Sequence, residues 1–255
     1  MKSKLIILGS GCSTGVPRID GYWGNCRNKK KNIRTRCSAI LLNGKSSILI
    51  DTSPDIKQQL LTNKIKDITA IVYTHEHSDQ TSGLFELRPF YWKTKKRINI
   101  YGNRKTIKFL RLKFDFCFNK KAYYEPIAKS NIVKKKFSIG VENSKVNFKT
   151  IEVKHGLIKS VVYIFKKVAY ISDCNDISIS NMDIFKKLNY LIIDCCKINS
   201  YISHFNLDQV LYIHKKLKPK KTILTNLHTD FDYYALKKIL PKNISPAYDG
   251  LTINL

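Results

Sequence analysis

The chain has 255 residues, 43% of them hydrophobic and 11% aromatic, enough to bury an ample core as one α/β domain or two small ones. Its formal net charge of +27 comes from 46 Lys and Arg against 19 Asp and Glu, but the excess is mostly lysine in scattered runs such as NKKKN (28–32), VKKKF (133–137) and KLKPKK (216–221), which read first as solvated surface rather than as a nucleic-acid footprint. No apolar run approaches the roughly 20 residues that span a bilayer, and the 7 cysteines, odd in number with Cys195 and Cys196 adjacent, make no disulfide framework, so a reducing cytoplasm is the expected home.

The opening MKSKLIILGSGCSTG reaches glycine too soon for a signal peptide and predicts a first strand. Apolar and β-branched runs predict ten strands in all: KLIILG (4–9), SAILLN (38–43), SSILID (46–51), ITAIVYT (68–74), RINIYG (97–102), KVNFKTIEV (145–153), SVVYIF (160–165), VAYISD (168–173), YLIIDC (190–195) and KTILTN (221–226). Helical periodicity falls between them at 55–62, 105–116, 178–188, 206–217 and 233–239. The fourth helix starts at Asn206 and has Asp208 in its first turn. This mixture predicts sheets packed between helices. With no internal repeat and no long linker, residues 1–255 read as a single domain. The stretch 117–145 carries the weakest pattern and is expected to be an insertion over the site.

Polar residues cluster on this map. His75 and His77 follow the fourth predicted strand, in THEHSDQTSG (74–83). His155 follows the sixth, Asp173 ends the eighth and His228 follows the tenth. All five fall at C-terminal strand ends, where open α/β sheets place their ligands. His-x-His leaving a strand offers two neutral nitrogens to a divalent metal, and a third from a distant strand end completes a site. His214, midway along an amphipathic helix, reads as a packing residue. The eight arginines all lie at or before Arg111, and Arg18, Arg34, Arg36 and Arg88 flank these motifs. Phosphate contact and structural ion pairing are both open to them.

THEHSDQTSG resembles the HxHxDH signature of the metallo-β-lactamase fold. LGSGCSTGVP (8–17), RTRCSAILL (34–42), ILIDTSPDIKQQLL (48–61), GLFELRPF (83–90) and AYDG (247–250) resemble its PhnP-like branch, the phosphoribosyl 1,2-cyclic phosphate phosphodiesterases. The resemblance runs nearly end to end and implies an α/β, four-layer αββα sandwich. It also implies that His75, His77 and His155 hold a first metal, that Asp79 and His228 hold a second, and that Asp173 bridges the two. Gln80 stands where the family has a further histidine. A glutamine carbonyl is a weaker, neutral donor that suits Mn²⁺ better than Zn²⁺, so the second ion is expected to be held loosely. Up to two Zn²⁺ or Mn²⁺ ions per chain are implied. Asp51 is expected to accept an N–H from a ligating imidazole, with Ser53 or Thr52 capping the helix that follows.

The expected activity is hydrolysis of a small cyclic phosphodiester, such as 5-phosphoribosyl 1,2-cyclic phosphate, by a metal-activated hydroxide. Asp79 and His204 are the expected catalytic residues and Arg88 a substrate contact. His204, in HFNLD (204–208), is the candidate general acid, because an imidazole with a pKa near 6.5 is well matched to protonate a leaving alkoxide. The alternatives are a tRNA 3′-processing type of endoribonuclease, which would give the basic surface a purpose, and a catalytically weakened metal-binding module. Cys26 alone represents the early cysteine cluster with which relatives bind a structural zinc, so none is expected here. Tyr22 and Trp23 read as core packing or as a wall of the cleft. The partners implied are a small phosphodiester and, less favoured, nucleic acid; a homodimer is allowed and no membrane is expected.

Overall fold

The computed structural model describes residues 3–199 and 201–255. Two seven-stranded sheets lie face to face. The first contains β1 (Ser3–Gly9), β2 (Ser38–Asn43), β3 (Ser46–Ile50), β4 (Ala70–Val72), β5 (Ile98–Gly102) and β6 (Ala128–Ile132). The second contains β7 (Lys136–Ile139), β8 (Val146–His155), β9 (Ile158–Phe165), β10 (Val168–Ile171), β11 (Tyr190–Asp194), β12 (Lys221–Thr225) and β13 (Ile244–Pro246). The chain then returns to the first sheet, where β14 (Leu251–Asn254) pairs antiparallel with β1.

Strand alternation explains why these strands are apolar on both faces. Leu5 and Ile7 of β1 turn inward onto Phe148, Tyr163 and Phe165 of the opposite sheet, while Ile6 and Leu8 turn outward under helices. Outside the first sheet lie α1 (Ile56–Thr62), α3 (Arg88–Thr94), α4 (Arg104–Lys113) and α5 (Asp115–Phe118); outside the second lie α6 (Leu207–Leu217) and α7 (Tyr233–Ile239). This is the expected αββα sandwich. No helix among the described residues is long and apolar enough to cross a membrane.

Pairing directions decide where the site forms. β3, β4, β5 and β6 run parallel, as do β10, β11, β12 and β13. β8 and β10 each pair antiparallel with β9, so they too point the same way. The C-terminal ends of β4, β8, β10, β11 and β12 therefore converge on one rim. There the sheets are tied together: Tyr163 Oη donates to the Tyr73 carbonyl at 2.7 Å, and Val161 N–H donates to the Thr74 carbonyl at 2.8 Å, one residue before His75. The closing AYDG segment serves a second tie, because Asp249 accepts from both the N–H and the hydroxyl of Ser10 and of Thr35.

Some expectations change. Residues 117–145 are not an insertion over the site; they complete α5 and form the edge strands β6 and β7. The predicted helix at 178–188 is a 3-10 turn over Ile179–Phe185. The N-cap of α1 is Asp55, and Ser53 Oγ accepts the Asp55 N–H at 3.2 Å instead of capping the helix itself. Asn206 does cap α6, in a reciprocal box with Gln209.

The Tyr163 hydroxyl donates to the carbonyl of buried Tyr73. Tyr163→Phe is expected to destabilise the fold by about 1–3 kcal/mol, read as a lower urea midpoint with an unchanged slope.

Candidate metal centre

The loop after β4 turns at once into α2 (Ser78–Thr81), which places His75, His77 and Asp79 at the rim. A chain of hydrogen bonds fixes the His75 ring. Asp51, buried and in a left-handed backbone conformation at φ 60°, accepts from the Thr74 N–H and the Thr74 hydroxyl, both at 2.8 Å. With its own proton committed to Asp51, the hydroxyl accepts from His75 Nδ1 at 3.0 Å. Asp51 thus reaches the imidazole through Thr74, not directly as expected. Nδ1 carries the ring proton and Nε2 is bare. Burial, reinforced by the neighbouring His155 and His77 rings and opposed by Asp173, pushes the His75 pKa down to about 3.

His155 ends β8 and is fixed in the same way. Its Nδ1 donates to the Ser203 carbonyl at 2.7 Å, leaving Nε2 bare. Gly156 permits this approach: it has φ 56° at the hairpin, and a Cβ there would come within 3.2 Å of Ser203 Cβ. Asp173 follows β10 and sends Oδ2 to within 3.7 Å of His75 Nε2 and 3.6 Å of His155 Nε2, while His77 Nδ1 lies 3.2 Å from His155 Nε2. One ligand atom from each of His75, His77, His155 and Asp173 falls within 4.8 Å of the others.

This arrangement fits a divalent metal. His75 Nε2 is buried with no hydrogen-bond partner, a condition folded proteins rarely leave uncompensated. The spacings of 3.6 and 3.7 Å are too long for hydrogen bonds. They suit atoms sharing a centre with bonds of about 2.1 Å, whose tetrahedral edges are about 3.4 Å.

Asp79 and Gln80 border this cluster without joining it, and His228 is not among its members. Burial first, and then the charge of Asp173, raise the Asp79 pKa to about 7. One end of the Gln80 amide lies 3.4 Å from Asp79 Oδ2 and Asp173 Oδ1. The other end is 3.2 Å from Asp51 Oδ2 and the Cys37 carbonyl, both acceptors, so the favourable orientation puts the nitrogen there and turns the oxygen toward Asp79 and Asp173. His228 Nδ1 lies 2.9 Å from Asp230 Oδ1 and 3.1 Å from Thr229 Oγ1. Its loop is held by buried Arg34, which donates to the His228 and Phe231 carbonyls, and by Cys26, whose thiol donates to the Thr229 and Phe231 carbonyls. Tyr22 is exposed and Trp23 half-buried on a segment whose Asn25 N–H donates to the Thr229 carbonyl.

His204 sits against the cluster, its ring centroid 4.9 Å from that of His155. Its Nδ1 lies 2.9 Å from Asp194 Oδ2. Burial disfavours the charged ring, but Asp194 and then Asp173 and Asp79 outweigh it and raise the pKa to about 9, well above the ordinary value expected from sequence. Asn226, which sequence reasoning missed, joins this pair to Asp173 of the cluster: its amide donates to Asp194 Oδ1 at 3.0 Å and to Asp173 Oδ1 at 3.3 Å. Its left-handed φ of 62° at the end of β12 is one that asparagine tolerates better than most residues. Arg88 has its guanidinium 3.4 Å from the centroid of the Phe85 ring and its Nε donating to the Phe85 carbonyl.

Residues 46–226 match the Beta-lactamase superfamily domain. The whole chain superimposes on a diphosphatase from the PhnP family with a TM-score of 0.90 and 31% identity, covering 100% of this chain and 98% of that one. Zn²⁺-bound PqqB from Methylobacterium extorquens superimposes at TM-score 0.76 and 16% identity, covering 99% and 100% of the two chains, a likeness of fold. Among curated proteins, an octanoyltransferase of Porphyromonas gingivalis is 29% identical over 254 residues, 97% of this chain. The chain spans 51% of that relative's length.

Gln80 offers a neutral oxygen where a charged or imidazole donor would bind more tightly. Metal analysis of the purified protein is expected to find one ion held through dialysis and a second lost. Gln80→His should raise the second occupancy and leave the first unchanged. Two ions held equally tightly by the unmodified protein would contradict this role for Gln80.

Proposed function

The chain belongs to the β-lactamase superfamily, in its PhnP-like branch, and from that premise we propose that it is a metal-dependent hydrolase of small, cyclic phosphodiesters. The observation that carries the reading is the buried, unpartnered Nε2 of His75 facing His155 and Asp173. A divalent ion such as Zn²⁺ or Mn²⁺, held by His75, His77, His155 and Asp173, supplies Lewis acidity that lowers the pKa of water and polarises a phosphoryl oxygen. Asp79, the Gln80 oxygen, Asp173 and His228 are the groups that would hold a second, weaker ion. Two carboxylates this close, one with its pKa raised to about 7, favour a cation between them.

The remaining chemistry belongs to the chain. Hydrolysis adds water across one P–O bond, and the leaving alkoxide takes up a proton. With its Nδ1 proton engaged by Asp194, the charged His204 ring keeps a second proton on Nε2 at neutral pH, and this proton passes to the leaving oxygen. Asp194 and Asn226 orient that ring. A tRNA-processing endoribonuclease is less favoured, because residues 117–145, the stretch most open to being a gripping arm, are used for α5, β6 and β7. A non-catalytic module is less favoured because His75, His77, His155 and Asp173 converge and the Asp194–His204 pair stands beside them.

Bis-p-nitrophenyl phosphate should be hydrolysed by the metal-loaded protein, not by the chelated one. A loaded protein inert toward every small diester, cyclic ones included, would end the reading. His204→Ala should leave metal content intact and lower kcat by about 10²–10⁴ on a diester with an alkoxide leaving group. The loss should shrink with p-nitrophenolate, which hardly needs protonation. Equal loss on both substrates would remove His204 from the acid's role.

A further inference from the structure

A groove of about 890 Å³ runs along the β8–β9 hairpin that carries His155. It shares two elements with the metal centre: the hairpin carrying His155 continues into the groove at Leu157, and Glu76, between His75 and His77, pairs with Lys105 of its wall at 2.9 Å. This volume lies near the top of the roughly 300–1,000 Å³ usual for small-molecule sites, generous for a small cyclic diester alone.

The charge of the groove is one-sided. Arg104, Lys134, Lys135, Lys136 and Lys149 line it and form no ion pair among the described residues. Lys105 is paired with Glu76, and Lys159 with Glu152, the one carboxylate in the lining. The lysines at 134–136 are exposed and stand where the chain crosses from the edge of one sheet to the edge of the other. A run of cations leading away from a phosphodiester-hydrolysing centre suits a chain of phosphates more than a single anion. The lining contains no aromatic side chain, so it offers backbone contacts and no stacking platform for bases.

We propose that the groove holds the phosphate backbone of a single-stranded nucleic acid whose terminal ribose carries a cyclic phosphate, delivering that terminus to the metal centre. This rests on the phosphodiesterase reading and names a substrate class for it. The cyclic ester opens by addition of water: one P–O bond forms, one ribose P–O bond breaks, and the freed ribose oxygen takes a proton, leaving a terminal phosphomonoester.

The test compares a nucleoside 2′,3′-cyclic phosphate with a ten-nucleotide RNA ending in the same group. At 50 mM salt the oligonucleotide should have a kcat/KM at least about tenfold higher. Lys134→Glu, Lys135→Glu and Lys136→Glu together should abolish that advantage and leave mononucleotide hydrolysis unchanged. The same three charge reversals at exposed Lys237, Lys238 and Lys242 should leave the advantage largely in place. Fluorescence anisotropy with a non-cyclised oligonucleotide should show affinity falling steeply with salt, whatever the base sequence, and the groove variant should flatten the log–log slope by about 2. If the mononucleotide is hydrolysed and the oligonucleotide is no better, the groove proposal fails and the phosphodiesterase reading stands. If neither is hydrolysed, the anisotropy series still decides: binding unaffected by the groove substitutions, or weakened equally by the control set, overturns the proposal.

Discussion

Three imidazoles and a carboxylate meet at the rim of two sheets, and His75 and His155 turn their proton-bearing nitrogens away from the cluster. That constraint organises the rest of the site. His75 gives its proton to Thr74, which gives its own to Asp51; His155 gives its proton to the Ser203 carbonyl. The bare nitrogens left behind point at Asp173 across 3.6 and 3.7 Å. Burying such groups without a partner is unfavourable, and a cation shared among them would satisfy them.

The sheets exist in this form largely to bring those groups together. Parallel pairing of β3 with β4 sets the Asp51 loop beside Thr74, while the double antiparallel step from β8 to β10 lets His155 and Asp173 leave their strands on the same side. Tyr163 links the two sheets one peptide away from the first ligands. A second layer, Asp194 with His204 and Asn226, sits behind Asp173. At neutral pH burial keeps His75 uncharged, while Asp194 favours a positive charge on the His204 ring.

Much of this was legible in the sequence, for identifiable reasons. The ten predicted strands are buried on one or both faces and are rich in Ile, Val and Leu. The four strands not predicted are β6, β7, β13 and β14. They are the four edge strands, short segments such as AKSNI and ISP, whose polar or broken pattern carries no period. His75, His77, His155 and Asp173 were legible because each sits at a strand end, where position alone implies convergence. Thr74, Ser203 and Asn226 were not, because their roles are hydrogen bonds made across strands and loops, and nothing local marks them. The positive φ at Asn226 is the sort of signal that only a structure reveals.

The account stands or falls on a cation at the rim. Anomalous diffraction from crystals of the protein grown with Zn²⁺ or Mn²⁺ tests this most directly. The account predicts a peak about 2.1 Å from His75 Nε2, His155 Nε2, a ring nitrogen of His77 and a carboxylate oxygen of Asp173. An empty cluster at saturating metal, or an ion bound only by other residues, would contradict it.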